Sequence, residues 1–186
     1  MLRCFRPLVI SLMLPCVGIG LAAAQDKGPA RPQPSPELRQ LEFFVGTFAC
    51  KGEAFKTPMT EPHPVERTIA GKMDLDGFWL FMRFDDTASA ENPMPIRGNW
   101  QLAYNARERN FVAVWTDNLG RWFPQTSTGW EGNSIAFTGE FTLNDQRGVV
   151  RDSFTRKSER EMIMTVDIRR DGDWMPLLKF DCLKSL

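Results

Sequence analysis

The sequence is nearly without histidine: His63 is the single one in 186 residues, and it stands between Pro62 and Pro64. A histidine-rich zinc site is therefore excluded. A Ser-His-Asp arrangement or haem ligation would have to recruit this one ring from what reads as an exposed loop ahead of a strand. Glycine-rich phosphate loops are missing too, because the glycines are scattered at turns. Formal net charge is zero. With no basic stripe to neutralise a phosphate backbone, nucleic acid is not an expected partner. Asp74-Leu75-Asp76-Gly77 has the look of a calcium loop, but its glycine comes two positions early and Phe78 fills the next ligand position. A hairpin turn accounts for it better. The sequence calls for no metal ion and no cofactor.

Long apolar runs are confined to the N-terminus. Arg3 and Arg6 precede an almost wholly apolar stretch from Leu8 to Leu21, and Ala22, Ala23 and Ala24 lead into Gln25-Asp26-Lys27. That order of charge, apolar run and small residues reads as a secretory signal over residues 1–24. The run is short of the ~20 residues that span a bilayer, and Pro15, Gly18 and Gly20 weaken it as an anchor. Cys16 lies inside the run behind Pro15, which argues against a lipoprotein site. No membrane span is expected after cleavage, and the mature chain is expected in the periplasm or outside the cell.

Cleavage leaves only Cys50 and Cys182. In an exported protein such a pair reads as a disulfide, with two unrelated buried thiols as the alternative. It would join the start of the folded region to its end.

Residues 25–36 carry Pro29, Pro32, Pro34 and Pro36 and read as an extended linker. A single domain is expected over residues 37–186. Ser35-Pro36 offers an N-cap and a first-turn proline, and Leu38 and Leu41 share a helical face, which predicts a short helix from Pro36 to about Phe43. Beyond Phe44 the pattern is β. Apolar and β-branched runs alternate with turn signals, among them Asp76-Gly77, Asn144-Asp145 and Asp171-Gly172. Some ten strands are predicted, with no gap long enough for a helical crossover. So many antiparallel strands would leave exposed edges unless the sheet closed. An all-β, up-and-down meander closing into a barrel is the expected fold. Cys50 on its first strand and Cys182 on its last would then be neighbours.

Leu41-Glu42-Phe43-Phe44-Val45-Gly46-Thr47-Phe48 resembles the opening of a bacterial family known as domain of unknown function 1579. In order follow Asp76-Gly77-Phe78-Trp79-Leu80, Tyr104-Asn105, Trp115-Thr116-Asp117 with Gly120, and Phe137-Thr138-Gly139-Glu140. The resemblance implies a fold and no assigned reaction. The opening is also similar to the Gly-x-Trp start of lipocalin-like barrels, with Phe48 in place of the tryptophan. That likeness implies binding of a small ligand.

Aromatic residues are the clearest candidate site. Trp100 and Tyr104 share parity on one strand, Trp115 and Asp117 on the next, and Trp122, Thr126, Thr128 and Trp130 on the one after. Facing inward, they would present indoles, hydroxyls and a carboxylate to one interior, as a ligand pocket does. The alternative is that they simply fill the core. Arg83 would anchor an anionic group, or else lie on the solvent face. Three readings follow: a barrel binding a small hydrophobic or amphiphilic ligand, an envelope interaction protein with a solid core, and a hydrolase using Asp117 and Asp152. Against the last, Asp152 beside Arg151 also reads as half of a surface ion pair.

Overall fold

Alternation of apolar and polar residues along most of the chain beyond Phe44 yields eleven strands among the described residues, each hydrogen-bonded to antiparallel neighbours. The computed structural model describes residues 31–57, 61–143, 146–169 and 172–185. The expected signal segment, most of the linker and the Asn144-Asp145 turn lie outside them, as does Asp171. Residues 33–186 form one compact unit, which holds the sheet.

The strands are β1 (Gly46–Ala54), β2 (His63–Asp74), β3 (Trp79–Asp86), β4 (Arg97–Asn105), β5 (Asn110–Asp117), β6 (Trp122–Ser127), β7 (Trp130–Glu131), β8 (Ser134–Leu143), β9 (Gln146–Arg156), β10 (Glu161–Arg169) and β11 (Met175–Lys184). Their spatial order runs β6-β5-β4-β3-β2-β1-β11-β10-β9-β8, with β7 beside β8 and β6 returning to pair with β8. The meander is therefore a closed barrel, as the sequence led us to expect. The first and last strands share a ladder from Phe48↔Lys184 to Ala54↔Leu178. Cys50 and Cys182 are direct partners in it and form a disulfide. Both cysteines are buried and belong to the interior face.

Closure is thinner elsewhere. Between β6 and β8 a single pair, Thr126↔Thr138, is in register. The expected strand over residues 120–130 breaks there into β6 and β7. Gly129, with φ +105°, turns the chain at the break, a conformation that glycine adopts without steric cost.

The predicted helix is present as a 3-10 helix, Pro36–Phe44, not an α-helix. Its buried residues are Leu38, Leu41 and Phe44, which include the pair expected to share a face. Ser35 does not cap it. Its hydroxyl bonds the Glu37 carboxylate instead of a backbone N–H. The helix packs against β2, β3 and β4. Phe44 meets Phe154 edge-on, with ring centroids 5.1 Å apart, and stacks on Trp130 at 5.9 Å. These contacts plug one end of the barrel with apolar side chains.

Two local expectations are corrected. The Asp76-Gly77 turn is not a two-residue hairpin but a 3-10 turn, Leu75–Gly77, in which all three residues have positive φ. The Asp74 carboxylate accepts from Leu75 N, which helps to hold it. His63 does not lie in a loop ahead of a strand. It is the first residue of β2, and its Nδ1 is 2.9 Å from Glu61 O.

Candidate functional site

The interior face of each strand is apolar except at a few positions, and those positions meet. On β2, Val65, Arg67 and Ile69 are buried in alternation, so Arg67 points inward. On β3 the inward set is Leu80, Met82, Phe84 and Asp86. Arg67 and Asp86 are opposite each other in the ladder. The Arg67 guanidinium forks onto the Asp86 carboxylate, Nε donating to Oδ1 at 2.5 Å and Nη2 to Oδ2 at 3.2 Å. Both side chains are at most 4% exposed. The Phe180 ring lies 4.4 Å from Arg67 Cζ, and among the described residues Nη1 has only Met164 Sδ, at 4.0 Å.

A second polar set adjoins the first. Trp100 Nε1 donates to Gln125 Oε1 at 2.9 Å. Gln125 Nε2 donates to Asp152 Oδ2 at 2.6 Å and to Phe137 O at 3.3 Å. Burial pushes the Asp152 carboxyl up to about 6; the Gln125 bond and the Arg67 charge pull it down, and the Asp167 charge raises it further. It is therefore a carboxyl that changes charge near neutral pH while facing an arginine.

Phe84 links this network to a partly exposed apolar lining. Its ring is 5.9 Å from Arg67 Cζ and 5.3 Å from the Trp115 ring. Trp115, Phe123, Phe141, Ile168 and Leu178 are half-buried and packed on the core. They lie near the strand ends remote from the helix. Gly98 makes the Trp115 position possible, since a Cβ there would fall 2.4 Å from the indole.

The sequence-derived candidates are only partly brought together. Trp100 is buried, and Tyr104 is half-buried with its ring 5.1 Å from Phe111. Trp115 donates to Asp117 Oδ2 at 2.9 Å. Asp117 also accepts from Leu119 N and Arg121 N and pairs with the Arg121 guanidinium. Burial raises its pKa, but Arg121 and Trp115 outweigh that and hold it below the ordinary carboxylate value. Asp117 thus organises the β5–β6 turn.

Trp122 and Thr128 are exposed, Trp122 by 69%, and Thr126 is exposed with them. The inward residues of β6 are Phe123, Gln125 and Ser127, one step out of phase with the expected face. Trp130 sits beside the helix and donates to Gln40 O. Arg83 is on the outer face, bonded to Asp85 and Asn99. Arg151 likewise faces outward and pairs with Asp167, not with Asp152. The sequence reading missed Arg67, Asp86 and Gln125. Their signal was present as charged or amide residues at the same parity as buried apolar neighbours.

No curated protein sequence matches this chain. Among solved structures it is similar to Rv2717c from M. tuberculosis, at 14% identity and a TM-score of 0.65, over 83% of this chain and 100% of that one. At that identity the likeness speaks for the fold alone. The family model described as a protein of unknown function, DUF1579, matches residues 33–184, so the chain belongs to that family.

Proposed function

We propose that the barrel binds a small amphiphilic molecule in the half away from the helix. The observation that carries this reading is the coexistence of a buried polar network, Arg67, Asp86, Gln125 and Asp152, with inward-facing apolar side chains that are only half-buried. Those apolar residues, Trp115, Phe123, Phe141, Ile168 and Leu178, would take the apolar body. Burial of that surface drives binding by about 25 cal/mol per Å², less the cost of association. The polar end would meet Arg67 Nη1, which among the described residues has no stronger partner than a thioether, and Asp152. This arrangement of apolar wall and few polar groups suits a small-ligand site.

The reading keeps Trp115 and moves the rest of the site away from the Trp100, Trp122 and Trp130 that the sequence favoured. The indole N–H groups of Trp100, Trp115 and Trp130 all have acceptors within the protein. Their engagement supports the rival reading, an interaction protein with a solid core. Hydrolysis by Asp117 and Asp152 has less support, because Asp117 is saturated by its turn and Arg121. The disulfide suits an oxidising compartment, which supports export to the periplasm or beyond.

The test is tryptophan-fluorescence titration with straight-chain carboxylic acids, alcohols and amines, beside native mass spectrometry of protein purified without organic solvent. Saturable quenching by one class, weakened at least tenfold in Asp152→Asn or Arg67→Met, supports the site. Absence of both quenching and a co-purified mass overturns it in favour of the solid barrel.

A further inference from the structure

On the plugged end of the barrel, outside the interior just described, lies a depression of about 670 Å³. Arg39, Phe43, Trp130, Arg156, Lys157 and Glu159 are among its lining residues. Arg156 is the centre of it. Its Cζ is 3.5 Å from the Trp130 ring centroid and 4.6 Å from that of Phe43, so two aromatic faces hold the guanidinium. Nη2 donates to Gln40 O at 3.2 Å. Nε is buried with no acceptor. Among the described residues Nη1 makes no hydrogen bond, and the Arg156 side chain as a whole is half-buried.

Other arginines of the barrel that are buried or half-buried are balanced by carboxylates. Arg67 faces Asp86, Arg121 faces Asp117, and Arg151 faces Asp167. Among the described residues no ion pair includes Arg39, Arg156, Lys157 or Lys184. Lys184 adds to the excess, since its Nζ is spent on Phe43 O. Burial lowers the pKa of Arg156, and burial together with the Arg156 charge lowers that of Lys184. Glu159 is the one acid of the lining.

We propose that this depression is a second binding site, for a small molecule bearing an oxyanion, a carboxylate or a phosphate, received by Arg156 with help from Arg39 and Lys157. A guanidinium clamped between rings is pre-organised to offer its free edge to a planar or tetrahedral oxyanion. The flanking cations are exposed and raise the local anion concentration, whereas Glu159 opposes it. A purely structural role, in which Arg156 only ties down the helix through Gln40 O, would not need Arg39 or Lys157.

The test follows the Nε–H resonance of Arg156 and the indole resonance of Trp130 by NMR. Inorganic phosphate and citrate are titrated separately at constant ionic strength. A saturable shift of both resonances by either anion supports the site, and the two arms say which chemistry it takes. The double variant Arg39→Gln/Lys157→Gln should weaken that binding about threefold or more with the melting temperature unchanged. Glu159→Gln should tighten it. No saturable shift with either anion, or an affinity indifferent to the double variant, overturns the proposal.

Discussion

Arg67 and Asp86 face each other across two neighbouring strands as a forked ion pair inside the barrel, with both side chains at most 4% exposed. Such a pair is held by geometry more than by net energy, since desolvating two charges offsets most of their attraction. Breaking it is another matter. Asp86→Ala removes the forked partner of a guanidinium held among Phe84, Phe180 and Met164 and leaves only the Asp152 charge to oppose it. Chemical denaturation should then show a loss of about 3–5 kcal/mol. The double replacement Arg67→Met/Asp86→Leu should recover most of that loss. A double variant as unstable as the single one would mean that the pair contributes more than charge balance.

Asp152 should make stability depend on pH in the opposite sense to an ordinary carboxylate. Folded, its carboxyl is pushed up to about 6, chiefly by burial; the ordinary value is 3.8. Between those values the folded chain holds a proton that the unfolded chain has released. Stability therefore falls as pH rises through that window, and the loss is complete above it. The effect is about 2 kcal/mol after allowance for the residue's remaining exposure. Asp152→Asn should remove it. Urea unfolding of both proteins from pH 4 to pH 7 measures the difference, and parallel curves would refute the assignment.

The barrel was largely legible because alternation is a strong signal in a sheet with one wet face. Phe137 and Phe141 on β8, and Met162, Met164 and Val166 on β10, marked their inner faces directly. The cysteines marked the adjacency of the first and last strands. The phase of β6 was not legible. Its apolar residues do not alternate cleanly: Trp122 and Phe123 stand side by side, and only the pairing of Trp115 with Phe123 decides which one is inside. Shared parity with Thr126, Thr128 and Trp130 put Trp122 on the expected inner face, while the ladder places it in solvent. The polar network was hidden for a related reason. Arg67 and Asp86 satisfy each other across strands, and a single strand read alone shows only half of the compensation.

The disulfide closes a loop with a sequence separation of 132 and joins the two terminal strands. Constraint of the unfolded chain by such a loop amounts to about 5 kcal/mol in the chain-entropy description. Measured losses on removing native disulfides are about 2–5 kcal/mol. Cys50→Ala/Cys182→Ala should therefore lower stability by that range while keeping the β-sheet circular dichroism signal, because the β1–β11 ladder has backbone bonds of its own. Thiol titration of the unfolded chain lacking residues 1–24, which removes Cys4 and Cys16, should find neither Cys50 nor Cys182 free. Free thiols would contradict the pairing.

The β6–β8 junction is where the barrel should fail first. One registered pair closes it, and Gly139 allows the close approach. A Cβ on Gly139 would lie 2.0 Å from Pro124 O and 2.8 Å from Gln125 Cγ. The first contact is with backbone, so no rotamer change relieves it and the two strands must separate. Gly139→Ala should cost about 1–3 kcal/mol, the usual range for overpacking. Separation would also displace Gln125, whose amide joins Trp100 to Asp152. Hydrogen exchange should accordingly quicken in β6 and β8 and leave the β1–β11 ladder protected. Uniform quickening around the barrel would instead mean that closure is distributed and that this junction has no special weakness.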